Sequence, residues 1–110
     1  MKQMFSVLIG MGFLISMIGC ADEDPQFRIR NERADKANVQ LQTSGGNTIN
    51  INDVGAGQTT SYQSAAEGSL TVTAVIQNES VSPTAKFFCG KDMKYTIVIQ
   101  AGNLPTLRVD

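Results

Sequence analysis

The sequence contains no histidine and no tryptophan, and only two cysteines and three prolines. Without an imidazole there is no Ser-His-Asp triad, no Cys-His nucleophile pair and no His-ligated zinc site. Lys+Arg number 9 against Asp+Glu 10, so the basic excess of a nucleic-acid binder is missing. A polybasic membrane-surface segment is missing for the same reason. No apolar run reaches the roughly 20 residues of a transmembrane helix. The longest, Phe5 to Ile18, is about 14 residues and is broken by Ser6, Gly10, Gly12 and Ser16. What is present is 110 residues, 42% hydrophobic, enough for one small domain.

The chain opens MKQMFSVLIGMGFLISMIGC. Lys2 supplies a positive start and Phe5 to Ile18 the apolar stretch of a secretion signal that is later removed. The stretch ends in Met17-Ile18-Gly19-Cys20 rather than in an A-x-A site. Small Gly19 suits a processing peptidase. Cys20 suits acylation, because a thiolate is a strong nucleophile. This ending resembles the lipobox of bacterial lipoproteins, with Met17 where Leu is commonest. The resemblance implies a signal peptide over 1–19, cleavage between Gly19 and Cys20, and a diacylglyceryl group on the Cys20 sulfur. It also implies a further palmitate-type chain on the new amino terminus. Two or three chains hold a protein on a bilayer where one myristoyl chain binds only reversibly. Residues 20–26 then read as the acylated cysteine and an acidic tether, Ala21-Asp22-Glu23-Asp24-Pro25-Gln26. In Gram-negative lipoproteins an Asp directly after the cysteine commonly retains the protein in the inner membrane. Ala21 stands there, so the resemblance implies the outer membrane, at its periplasmic face or at the cell surface. The acids read as a solvated linker, with a surface-export signal as the alternative.

With Cys20 acylated, Cys89 has no partner in the chain. It sits in Lys86-Phe87-Phe88-Cys89-Gly90 on the same side as Phe87, and reads as a buried thiol with no histidine to activate it.

From residue 27 onward the apolar residues alternate with period two, the mark of half-buried strands. Phe27 and Ile29 face one way, Arg28 and Arg30 the other. Val39 and Leu41, then Ile49 and Ile51, flank a Ser44-Gly45-Gly46 turn and predict a hairpin. Thr59 to Ser64 predicts a weaker strand. Leu70 to Ile76, Ala85 to Cys89, Tyr95 to Ile99 and Leu107 to Val109 complete the set. Seven to eight short strands over residues 27–110 predict an all-β fold, a small antiparallel immunoglobulin-like sandwich. Arg28-Ile29-Arg30-Asn31, Tyr62, Gly68-Ser69-Leu70-Thr71-Val72 and Lys94-Tyr95-Thr96-Ile97-Val98 are similar to uncharacterised secreted and lipid-anchored immunoglobulin-like domains of bacteria. That resemblance implies the fold and no activity.

Signs of catalysis are few. Gly55-Ala56-Gly57-Gln58-Thr59-Thr60 lacks the Gly-Lys-Ser/Thr ending of a phosphate-binding loop and reads as a hairpin turn. Asp22, Glu23 and Asp24 lack calcium-loop spacing. Nothing singles out a catalytic pair among Asp35, Asp53, Glu67, Glu79 and Asp92. The expectation is therefore no catalytic residue, no metal and no cofactor. Arg28, Arg30 and Arg108, on outward faces of the first and last strands, form a candidate binding surface, with Phe88 as an exposed aromatic. The expected role is a non-catalytic, lipid-anchored envelope protein acting in structure or protein contact, with the membrane as one partner and an envelope protein or glycan as another. A carbohydrate- or peptide-binding module is the alternative, with Tyr62, Tyr95 and Phe88 as candidate aromatics. A small hydrolase or its inhibitor is a third class. Strand addition by Leu107 to Asp110 at a sheet edge is a further mode of contact.

Overall fold

A computed structural model describes residues 23–110. The leader, the cleavage point and Cys20 lie outside the described residues. Eight strands follow in order: β1 Gln26–Asn31, β2 Ala37–Thr43, β3 Thr48–Val54, β4 Gln63–Ser64, β5 Gly68–Ile76, β6 Thr84–Cys89, β7 Lys94–Gln100 and β8 Thr106–Val109. They form two four-stranded sheets, β8-β7-β1-β4 and β3-β2-β5-β6. The protein is an all-β sandwich, as the alternation predicts.

The core comes from the inward residues of both sheets. Phe27, Ile29, Ile97 and Ile99 of one sheet meet Val39, Leu41, Leu70, Val72, Ala74 and Ile76 of the other, all buried. Burying each large side chain stabilises the fold by about 1.5–3 kcal/mol before ordering entropy is set against it. The predicted hairpin is present, with Leu41 opposite Ile49 and Val39 opposite Ile51. Its turn closes through the Thr43 amide donating to the Asn47 carbonyl at 2.9 Å and the Gly46 amide to the Thr43 carbonyl at 3.1 Å. Gly46 has φ of 92° there, open to glycine at little steric cost.

Three features differ from the expected pattern. Among the described residues the β1–β7 ladder is parallel, Phe27 beside Tyr95 and Ile29 beside Ile97, whereas the other ladders are antiparallel. The chain leaves β1 for the opposite sheet and reaches β7 only after crossing back, so the two strands run the same way. The predicted strand over Thr59 to Ser64 shrinks to Gln63–Ser64 plus one bridge from Arg30 to Thr59. Between them the Thr60 hydroxyl accepts the Ile29 amide at 2.9 Å, replacing a ladder bond. Gly55 to Gln58 is a turn, with the Gln58 amide donating to the Gly55 carbonyl at 3.0 Å. It carries the chain between the sheets and is not a hairpin loop.

Two hydrogen bonds hold the chain just ahead of β1. The Glu23 amide donates to Asp92 Oδ1 at 2.8 Å, and the Asp92 amide to the Glu23 carbonyl at 2.9 Å. Pro25 is buried. The entry of the chain is thus fastened to the β6–β7 turn.

Candidate functional site

Strand alternation places Arg28 and Arg30 on the outward face of β1, and β8 places Arg108 on the same side of the same sheet. The ladders put Arg30 and Arg108 on either side of Val98. Val98 points outward, yet is only 1% exposed. Long side chains on flanking strands shield such a position with their aliphatic stems while the charged ends stay in water, and those of Arg30 and Arg108 are 50% and 47% exposed. The structure therefore brings the three predicted arginines onto one face.

Their charges are not equivalent. Arg30 donates to Glu32 Oε2 at 3.3 Å and to Thr59 Oγ1 at 3.2 Å. Arg108 grips Asp110 with two bonds of 2.9 Å. That bonding holds the Asp110 carboxyl below the usual carboxylate range and raises Arg108 further. Arg28 donates Nε to Thr96 Oγ1 at 3.0 Å and has no acidic partner among the described residues. Its guanidinium carbon lies 4.8 Å from the centroid of the Tyr62 ring. Lys94 Nζ lies 5.1 Å from the same centroid. Lys94 is a member of this group that alternation alone does not reveal, because its meeting with Arg28 depends on the parallel β1–β7 register.

Phe88 is placed elsewhere. It lies on β6 in the other sheet, 64% exposed, across from Ser69. Tyr95 is half-buried against Phe87, with ring centroids 5.2 Å apart, and its hydroxyl accepts the Gly90 amide at 2.9 Å. Tyr62, Tyr95 and Phe88 thus share no face, and the Tyr62 ring is engaged by two cations. The three aromatics do not make a common sugar-stacking platform.

The outward face of the second sheet has a different chemistry. Asn38 and Gln40 on β2 stand beside Asn50 and Asn52 on β3, around a depression of about 260 Å³ closed on one side by Val75. This is an uncharged amide surface. β8 pairs on one side only, with β7, which leaves its other edge open among the described residues, as strand addition requires.

Two residues carry the frame beneath these faces. Asn31 is fully buried. Its Nδ2 donates to the carbonyls of Asp35 and Val54 at 2.8 and 3.0 Å, and its Oδ1 accepts the Arg33 amide at 2.9 Å. Arg33 donates to the Gln100 and Gly102 carbonyls at 2.9 and 3.3 Å and pairs with Glu79. It ties the β1–β2, β5–β6 and β7–β8 loops together at one end of the sandwich. Cys89 is buried as expected, and burial pushes its thiol pKa up, which disfavours the reactive thiolate.

Among solved structures, the fold is similar to the NMR structure of a protein from Eubacterium rectale. The identity is 20% over 79% of this chain and 88% of that chain, with a TM-score of 0.60. A likeness at this identity establishes the sandwich and no activity. No family model matches the chain, and no curated protein matches it.

Proposed function

We propose that this chain is a lipid-anchored cell-envelope protein, moored through Cys20, with a non-catalytic role in structure or protein contact. The leader's resemblance to a lipobox supports the anchor. The observation that carries the role is the fastening of Glu23 to Asp92 through two backbone-involving hydrogen bonds of 2.8 and 2.9 Å. Glu23 stands three residues after the cysteine. Three residues reach about 10 Å at most, so an acylated Cys20 holds the sandwich against the bilayer instead of on a long leash. A domain held that closely presents its faces in a restricted set of orientations. Arg30 and Arg108 stand exposed on the arginine face of β1 and β8, which offers a macromolecular partner a charged sheet surface. The outer membrane, at its periplasmic face or the cell surface, is the proposed location.

Intact-mass measurement of protein from its native host tests the anchor. The expected result is a mass that starts at Cys20 and carries acyl chains. Cys20→Ala should abolish both the added mass and membrane partition; unchanged mass and partition would remove this reading. Crosslinking of intact envelopes followed by capture then identifies the contact partner.

The amide face of β2 and β3 favours a second reading, a carbohydrate-binding module, since Asn and Gln side chains donate to and accept from sugar hydroxyls. Titration with envelope glycans tests it. Binding abolished by Asn50→Ala supports the module, and no binding by the unsubstituted protein removes it.

A further inference from the structure

We propose that Arg28, Tyr62 and Lys94 form a binding site for a phosphate monoester. Two cations approach one aromatic ring, at 4.8 and 5.1 Å from its centroid. Neither forms an ion pair among the described residues, in contrast to Arg30, Arg33, Lys36 and Arg108, which do. The electron-rich ring attracts each cation, and an anion taken up by both would neutralise charges that the ring only partly offsets.

The donors of the site are uncommitted. Arg28 spends Nε on Thr96, which fixes the plane of the guanidinium and leaves both terminal nitrogens free among the described residues. The ammonium of Lys94 and the hydroxyl of Tyr62 likewise donate to no described acceptor. A guanidinium fork beside a point-charge ammonium matches a tetrahedral anion carrying close to two charges. A carboxylate has one charge and two oxygens, which the arginine fork alone would satisfy, leaving Lys94 unpaired. The charged donors of Arg28 and Lys94 address the phosphate group, so the phosphate and not the moiety that bears it is what the site recognises. Glu23, Asp24 and Asp92 line a depression of about 220 Å³ that Lys94 also borders. They oppose an anion through space. The Asp92 carboxylate is partly spent on the Glu23 amide, at 2.8 Å.

The site shares Arg28 with the proposed contact face but stands apart from the lipid anchor. A phosphate monoester here comes from a membrane lipid headgroup or from a soluble ester, and the test separates them. The processed protein, purified in neutral maltoside detergent, is titrated with inorganic phosphate. Backbone amide NMR shifts are followed at Arg28, Tyr62, Lys94 and Thr96, with acetate at equal ionic strength as the control. The expected result is saturable shifts with phosphate and none with acetate. The Arg28→Gln/Lys94→Gln variant should weaken binding by more than about tenfold with an unchanged thermal melt. No saturable shift, or equal response to acetate, overturns the site. For the source, the acetylation rate of Lys94 relative to Lys86 is read by mass spectrometry on vesicles of phosphatidylcholine with and without phosphatidic acid. Slowing of Lys94 on phosphatidic acid identifies the headgroup. Phosphate shifts without that slowing identify a soluble ester. Intact mass reads the state of Cys20 separately, so loss of the anchor reading and loss of this site are distinguishable.

Discussion

Arg33 meets Glu79 across 46 residues of sequence, and the Arg33 side chain is only 10% exposed while that of Glu79 is 27% exposed. The same guanidinium satisfies two carbonyls of the β7–β8 connection. One side chain therefore closes three loops that share no local sequence.

Replacing Arg33 with Ala leaves the carboxylate and two carbonyls without this donor. The expected loss is about 2–4 kcal/mol in urea unfolding. Arg33→Lys should recover only part, because an ammonium cannot serve the three acceptors in a fixed fork. A loss below about 0.5 kcal/mol for Arg33→Ala would show that the loops hold without it.

Asn31 makes its three side-chain bonds with no exposure to water. Asn31→Leu keeps the branched shape and heavy-atom count of the side chain and strands two carbonyls and an amide. The fold should weaken by about 3 kcal/mol, read from the shift of the urea midpoint at constant slope. A neutral outcome would mean that water or a shifted loop replaces the amide.

Phe87 and Phe88 are neighbours with opposite fates. Phe87 packs on the core and on Tyr95, and Phe88 stands in solvent. Phe87→Ala should destabilise by about 2–3 kcal/mol, and Phe88→Ser by no more than about 0.5 kcal/mol. Equal losses in thermal melts would contradict the strand register.

Cys89 sets a pH dependence. Burial raises its folded pKa above the ordinary 9.0, so the unfolded chain loses its proton first as pH rises. The contribution of this group is complete below about pH 9 and declines from there up to the raised folded value. Cys89→Ala should remove that decline from the difference between paired alkaline unfolding curves. Thiol reagents should label Cys89 only as fast as the domain opens. Fast labelling of the folded protein would place the thiol at the surface.

Gly68 holds φ of 134°, and a Cβ there would lie 2.6 Å from the Ser44 hydroxyl. Gly68→Ala should destabilise by about 1–3 kcal/mol. Gly68→Ala/Ser44→Gly should recover the steric part and leave the backbone part, which separates the two causes in the same melts.

Much of the architecture was legible in the residue order, because strand alternation is local. Phe27 and Ile29, Val39 and Leu41, and Leu70 through Ile76 announce their buried faces two residues at a time, and the glycines at 45 and 46 announce their turn. Arg28, Arg30 and Arg108 could be put on an outward face by the same rule. That rule sends Val98 outward into water, and the folded sheet buries it between two arginines instead. It is silent on which strand neighbours which. The parallel β1–β7 pairing set Lys94 beside Arg28 at the Tyr62 ring, and loop closure set Arg33 against Glu79. Both depend on contacts between residues more than 30 positions apart, whose partners are chosen by the packing of two whole sheets and not by any short stretch of the chain.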